Sequence, residues 1–381
     1  MSSRTLTHEN NSPLIRLDFV DALRLFAILY VIASHLVLIP EPDLAIPDCM
    51  ALLIINGGNA GVSLFFVLSA FSLSYSMDAR KSKQTVVRHF YIRRVFRIVP
   101  LFYVMILIYW IRDALVFGIL HPASEVFLNA SLLFNLVPAC ITSFVWGGWT
   151  IGVIAFLYLL FPLIHKYIRN LYSALALFSA TVLIAYGWSY LIIHYGEVIG
   201  YLTPGDINVV LGFGFLQHLP VFACGIVVYR LLFDYFTQLS QKKKNIYGMI
   251  FITVFIVFYA VLLTEYFQNT VRGMNILHGI CFSCLVLGLG LKPFHFLVNS
   301  KTTSLGKISY SMYLFHPIII FTIIPVYREL YHFLPVSIFG YLVSLMVTLV
   351  LLTVISWISY KYLERPGIAF GEKFIRKRSA G

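Results

Sequence analysis

The chain reads as an all-α, polytopic membrane helix bundle, and three observations predict it. Of its 381 residues, 60% are hydrophobic and 12% charged, with a mean hydropathy of +0.86, well outside the balance of a soluble domain. Several apolar runs exceed the roughly 20 residues that a helix rising about 1.5 Å per residue needs to cross the hydrocarbon layer. The alternating pattern of a membrane barrel strand is missing.

Taken in order, the runs predict about ten spans, near 18–39, 50–76, 99–119, 147–168, 173–195, 211–234, 247–266, 274–291, 309–329 and 337–362. The first run is too long, and its flank too polar, for a cleaved signal peptide, so the first span is expected to remain in place. An even number puts both termini on one side. Cationic residues choose the side. Arg80, Lys81, Lys83, Arg88, Arg93, Arg94 and Arg97 fall between the second and third spans; Lys166 and Arg169, Arg230 and Lys242 to Lys244, and Lys292, Lys301 and Lys307 fall at later ends on the same side. Lys361, Arg365, Lys373, Arg376, Lys377 and Arg378 close the chain there, whereas the opposite side receives Arg112, Arg272 and Arg328. By the positive-inside rule both termini are cytoplasmic, and the net charge of +12 reflects topology rather than nucleic-acid binding. The expected organisation is a cytoplasmic N-terminal tail at 1–16, one membrane domain at 17–366 and a basic cytoplasmic tail at 367–381. The connection 120–146 contains "ASEVFLNASLLFNLVPACI". Its apolarity suits an interfacial segment or one folded back into the bundle.

Five scattered cysteines, Cys49, Cys140, Cys224, Cys281 and Cys284, do not suggest a disulfide framework. His278, Cys281 and Cys284 share a helical face but lack a fourth zinc ligand and a polar setting, so no metal site is expected and the thiols read as small buried hydrophobes.

The first span, "RLDFVDALRLFAILYVIASH", carries Asp21, Arg24 and His35. His35 follows Arg24 by eleven positions, about three helical turns, so both side chains share a face roughly 16 Å apart along the axis. Asp21 lies one turn before Arg24 on that face. Such a stripe must face the protein interior or a water-filled cavity, because lipid exposure would cost several kcal/mol. It is either an Asp–Arg pair joining helices with a hydrogen-bonded histidine beyond it, or a functional site. A neutral imidazole is a good proton acceptor there, and arginine holds an anion or a polarised carbonyl.

The pattern Asp21-Ala22-Leu23-Arg24, ten residues, then His35 resembles the opening signature of acyltransferase family 3, membrane proteins many of which O-acylate cell-surface carbohydrates. Later segments are similar to further motifs of that family: "GGNAGVSLFFVLSAF" at 57–71, with Ala70 where glycine is usual; "RRVFRIVP" at 93–100; "ISYSMYLFHP" at 308–317; and "YLERP" at 362–366. The resemblance runs in order from about 16 to 370. "WTIGVIAFLYLLFPL" at 149–163 resembles the family's tryptophan-to-proline span through Trp149, Tyr158 and Pro162, yet Ile154 stands where many members have glutamate. If that acid serves chemistry in its relatives, this chain uses another group, manages without one, or is impaired.

The resemblance implies an acyl-CoA-dependent O-acyltransferase of the bacterial inner membrane, acting on a glycan or glycolipid, with no permanently bound cofactor and membrane lipids around it. It implies His35 as general base, with a covalent acyl-histidine as the rival route. Arg24, aided by Asp21, would orient the donor or stabilise developing charge, unless the two form a structural pair. Arg93, Arg94 and Arg97 suit the phosphates of coenzyme A, and equally those of anionic lipid. Gly57 and Gly61 suit close helix packing, Ser69 a hydroxyl between helices or along a tunnel. Trp149, Tyr158 and His316 support the site, His316 preceding the helix-breaking Pro317. Glu364 would pair with cytoplasmic arginines. The competing classes are a proton-coupled transporter or flippase using the Asp21/Arg24/His35 stripe, and a catalytically silent family member.

Overall fold

The computed structural model describes residues 17–80, 86–199, 202–264, 267, 273–334 and 336–379. The expected N-terminal tail, Lys81, Lys83 and Arg272 lie outside them, as do the side chains of Cys49, Lys377 and Arg378. Every regular element among the described residues is helical. In chain order they are α1 (Asp18–Leu38), α2 (Asp48–Ile55), α3 (Gly57–Asp78), α4 (Val86–Arg112), α5 (Ala123–Ala130), α6 (Trp149–Tyr167), α7 (Leu171–Ile199) and α8 (Pro204–Phe213). They continue as α9 (Phe215–Arg230), α10 (Gln241–Leu262), α11 (Met274–Leu291), α12 (Ser300–Lys307), α13 (Ser309–Thr322), α14 (Ile324–Phe333), α15 (Ser337–Ser359) and α16 (Arg365–Ser379).

Among the described residues, 9 helices are long and apolar enough to cross a membrane, or 10 if α13 and α14, bent by 63° at their junction, form one span. Apolar side chains that cannot all be buried must face lipid. In α7 and α10 most of them point outward, while α1, α3 and α9 are mostly buried and form the centre.

The central helices are brought together by small residues. A Cβ added at Gly61 of α3 would lie 2.6 Å from the Ala27 carbonyl oxygen of α1, so glycine sets how closely these helices approach, the packing role its spacing predicts. On the other flank of α1, a Cβ at Gly306 of α12 would fall 1.9 Å from the Asp21 carbonyl oxygen. The polar beginning of α1 is thereby clamped between α3 and α12.

Two boundaries differ from the expectation, and the 120–146 connection takes one of the two courses expected of it. The third span begins at Val86 and runs to Phe117, well before residue 99. Arg93, Arg94 and Arg97 interrupt the hydropathy without interrupting the helix, because they turn inward or toward α16 rather than toward lipid. The chain after Glu364 is helical too: α15 continues through a π-helical turn, Tyr360–Glu364, into α16. That helix lies against α4, with Phe370 on Phe96 at 5.4 Å between ring centroids and Gly371 pressed against the same ring. The connection 120–146 folds back into the bundle. Asn135 is buried, donates to the Phe213 carbonyl at 3.0 Å and accepts from the Phe215 amide at 3.0 Å, satisfying the break between α8 and α9.

Candidate functional site

The polar stripe on α1 divides into two sites, one at each end of the face that the eleven-residue spacing defines. At the first end Asp21 is 2% exposed. Arg24 donates from Nη1 to Asp21 Oδ1 at 3.0 Å and from Nη2 to Ser72 Oγ on α3 at 2.8 Å. Ser72 in turn donates to the Leu68 carbonyl at 2.6 Å, which fixes its lone pairs toward the guanidinium. A buried acid thus holds Arg24 at the wall of a chamber.

That chamber lies between α1, α3, α4, α6 and α13. Arg24, Arg94, Arg97, Ser69, Ile154 and Tyr158 line it, and its volume is ≈ 110 Å³, against the roughly 10–15 Å³ a single water requires. Arg94 reaches it from α4, with its guanidinium 5.6 Å from the Tyr158 ring centroid and within hydrogen-bonding reach of the Tyr158 hydroxyl. Its Nε is buried with no hydrogen-bond partner. Ser69 Oγ stands 3.5 Å from Tyr158 Oη, a contact at the limit of a hydrogen bond, so Ser69 both bridges α3 to α6 and lines the chamber. Arg97 lies within electrostatic reach of Glu364, which is buried and accepts a hydrogen bond from Ser311. Tyr310 closes the wall from α13 and donates to the Ile98 carbonyl at 2.8 Å.

The structure separates the three neighbouring arginines. Arg94 and Arg97 enter the chamber; Arg93 points to α16 and pairs through Nε with Glu372 at 2.7 Å. Arg80, beyond the end of α3, donates to Ser76 Oγ at 2.5 Å. Its burial and the nearby Arg93 and Arg94 push its guanidinium down to about 10, against an opposing pull from Glu372. This end of the bundle therefore has an excess of positive potential, the field an anionic ligand requires.

At the second end, His35 Nδ1 is 3.0 Å from the Val31 carbonyl and His316 Nδ1 is 2.5 Å from the Tyr313 carbonyl. A carbonyl only accepts, so each Nδ1 carries a proton, and in the neutral ring Nε2 presents the lone pair. The rings pack 5.0 Å apart. His316 is 1% exposed, and its Nε2 has no partner. The helix itself thus selects the neutral tautomer of His35 in which Nε2 is the acceptor.

Tyr313 is the wall between the two ends. It lines the chamber, packs against Phe65 at 6.0 Å and against His316 at 5.5 Å, and its hydroxyl donates to the Gly147 carbonyl at 3.1 Å. Trp149, expected at the site, packs instead behind it, on Phe213, Phe66 and His218 at 5.0, 6.3 and 5.1 Å. His278 and Cys281 are buried in α11, where His278 packs on Tyr259 and Phe282, and the described residues hold no group of three metal-ligating side chains.

Sequence reasoning missed Ser72, Tyr310 and Tyr313. Ser72 follows Ser69 by three residues, and Tyr313 follows Tyr310 by three. Those spacings were available as signals, but not which helices they would face.

No curated protein and no solved structure matches the chain significantly. The model of the family described as "Acyltransferase domain" does match, over residues 17–361. That span takes in the α1 stripe, the arginine chamber and the histidine pair, and on it the chain belongs to acyltransferase family 3 and is a multi-pass membrane acyltransferase.

Proposed function

We propose that this acyltransferase takes an acyl group, most simply acetyl, from acyl-CoA on the cytoplasmic side of the bacterial inner membrane and delivers it to a hydroxyl of a cell-surface glycan or glycolipid. The observation that carries this reading is the arrangement along α1: a chamber rich in arginine at Arg24 and a base-competent histidine at His35, eleven residues further on.

Arginine forks suit phosphate, so Arg94 and Arg97, with Arg24 beside them, hold the donor's phosphates. The donor's arm then has roughly 16 Å to cover to His35, along a helix rising about 1.5 Å per residue. The aromatic wall of Phe65 and Tyr313 must turn aside for it. At His35, Nε2 takes the proton of the acceptor hydroxyl as its oxygen attacks the thioester carbonyl. The C–O bond forms, the C–S bond breaks, and the proton passes to the departing thiolate. General-base assistance of this kind contributes typically 10²–10⁴-fold. His316 supports the step by packing on the His35 ring.

Membranes containing wild-type protein or its His35→Ala variant, incubated with acyl-labelled acetyl-CoA and native envelope lipids, test this. Label entering glycan or glycolipid with wild type alone supports the reading. Equal transfer by both proteins refutes His35, and transfer by neither refutes the donor or the reaction. Label retained on wild-type protein without acceptor marks the acyl-histidine route.

A further inference from the structure

A second cavity, of ≈ 380 Å³ and so more than three times the chamber's volume, lies between α7, the α8–α9 break and the returning 120–146 connection. One wall is a face of α7: Trp188, Leu191, Ile192, Tyr195 and Gly196 recur at the spacing of a single helical stripe. Ile141, Ile192, Leu202 and Val210 form its buried floor, an apolar cluster separate from the main core. At the rim Leu136, Leu191 and Tyr195 are 54%, 49% and 45% exposed, so the cavity is a groove continuous with the lipid-facing surface of α7.

The groove offers little to water. Trp188 and Tyr195 are rings typical of a membrane interface. Asn135, its other polar side chain, has already spent its amide, donating to the Ile141 and Phe213 carbonyls at 3.3 and 3.0 Å and accepting from the Phe215 amide at 3.0 Å. A buried water needs two to four polar partners, whereas an empty apolar cavity forfeits dispersion contact along its lining. The fitting occupant is apolar, and in a bilayer that means a lipid chain. Position singles out which lipid. A Cβ at Gly152 of α6 would meet the Phe134 ring at 2.7 Å and the Asn135 Cβ at 2.9 Å, while Thr150, Ile151 and Ile154 line the chamber, so α6 stands between the two cavities. Phe213, beside the groove, packs on Trp149, and two residues back the Gly147 carbonyl accepts from Tyr313, the ring next to His316. A chain lying in the groove brings its head group to the histidine end of the bundle.

We infer that the groove holds the hydrocarbon chain of the acceptor, which makes the acceptor a glycolipid and not a free glycan. The inference rests on the acyl-transfer reading above and deepens it by naming the acceptor's class.

The test uses purified full-length protein in phosphatidylcholine nanodiscs doped with a phosphatidylcholine whose chain carries a photoreactive diazirine. After irradiation, label is expected at the buried Ile192 and Val210, and it should fall when the glycolipid fraction of native envelopes is included but not when the same fraction is stripped of its lipid chains. No label at these floor residues overturns the inference. Label there that glycolipid does not displace marks a resident membrane lipid and overturns it too. In transfer assays Ile192→Trp and Val210→Phe, each filling the groove, should raise the KM for glycolipid on the order of tenfold, as several methylenes lose their burial. Transfer to stripped glycan and the KM for acetyl-CoA should not change, and Leu183→Trp, on the exposed face of α7, should alter nothing. Melting temperatures check folding, and either filled variant alone decides. Equal loss with both acceptors, or none with either, overturns the inference. Floor label displaced by glycolipid, with no acyl transfer by any of the proteins, would refute the proposed function while leaving the glycolipid site standing.

Discussion

At the Asp21 end of α1 the polar groups are tied to one another, Arg24 to Asp21 at 3.0 Å and to Ser72 at 2.8 Å, around a chamber of ≈ 110 Å³. At the His35 end two imidazoles meet at 5.0 Å, each tied by Nδ1 to its own helix, and the His316 Nε2 has no partner. The first end is a preorganised receptor whose unmet need is a negative charge on Arg94. The second is a pair of lone pairs whose unmet need is a proton donor. On the proposed function an acyl donor and an acceptor hydroxyl would supply those two things, and the division would assign binding and proton transfer to different ends of one helix.

If that division is real, the two ends separate in kinetics. The largest expected effect is at the second: His35→Gln should lower the rate of transfer by about 10²–10⁴-fold while leaving the KM for donor nearly unchanged. Comparable losses of kcat and of donor affinity from this one substitution would merge the two ends into one site.

The next effect belongs to the first end. Arg94→Ala should raise the KM for acyl-CoA by about 10–100-fold, the loss of a charge-assisted hydrogen bond worth roughly 1.5–3 kcal/mol, with a smaller change in kcat. Arg93 provides the contrast within the same motif. Its partner Glu372 is 37% exposed, and such pairs contribute about 0–1 kcal/mol, so Arg93→Ala should change KM by less than about fivefold. A larger effect at Arg93 than at Arg94 would move the donor out of the chamber and onto the face covered by α16.

A smaller, structural effect tests what holds the first end in place. At Gly306 a Cβ would meet the Asp21 carbonyl oxygen at 1.9 Å. Backbone faces backbone there, so α12 must withdraw from α1. Gly306→Ala should cost about 1–3 kcal/mol of stability, read as a lower melting temperature, and should also weaken donor binding. The same loss of stability with donor affinity preserved would show that the clamp stabilises the fold without shaping the chamber.

The α1 stripe was legible in the sequence because helical periodicity is local: the spacing of Asp21, Arg24 and His35 fixes a shared face whatever packs on it. Membership of the family was legible for a similar reason, since its motifs are short and occur in order. The meeting of Arg94 with Tyr158, and of His35 with His316, was not, because each joins residues far apart in the chain through contacts that no local pattern encodes. The start of α4 was hidden by the very arginines that matter, whose charge reads as a loop in hydropathy although the helix passes through them. Helix α16 was read as a basic tail because its apolar residues are few; Phe370 and Gly371 acquire meaning only against Phe96.

The smallest effect expected lies outside both ends, at the connection that returns the chain toward Gly147 and the Tyr313 hydroxyl. His121 sits between two acids, Nε2 2.9 Å from Asp113 Oδ2 and Nδ1 2.9 Å from Glu125 Oε2, while Asp113 also pairs with Arg112 at 2.5 Å and the imidazole stacks on Phe144. Both carboxylates accept, so the arrangement calls for the doubly protonated ring. Burial alone would lower the His121 pKa, but its hydrogen bonds to Asp113 and Glu125 outweigh burial and hold it above the ordinary value. A pKa raised by folding stabilises the protein fully below the unfolded value, near 6.5, and that stabilisation is lost as pH rises through the folded value. Wild-type protein should therefore lose a little thermal stability between those two values, and His121→Gln should lack that slope. Because the contact is remote from the chamber, coenzyme A affinity should not follow the same curve. If it does, the connection reaches the donor site through Gly147 and Tyr313, and the separation between the two ends of α1 is less complete than their geometry implies.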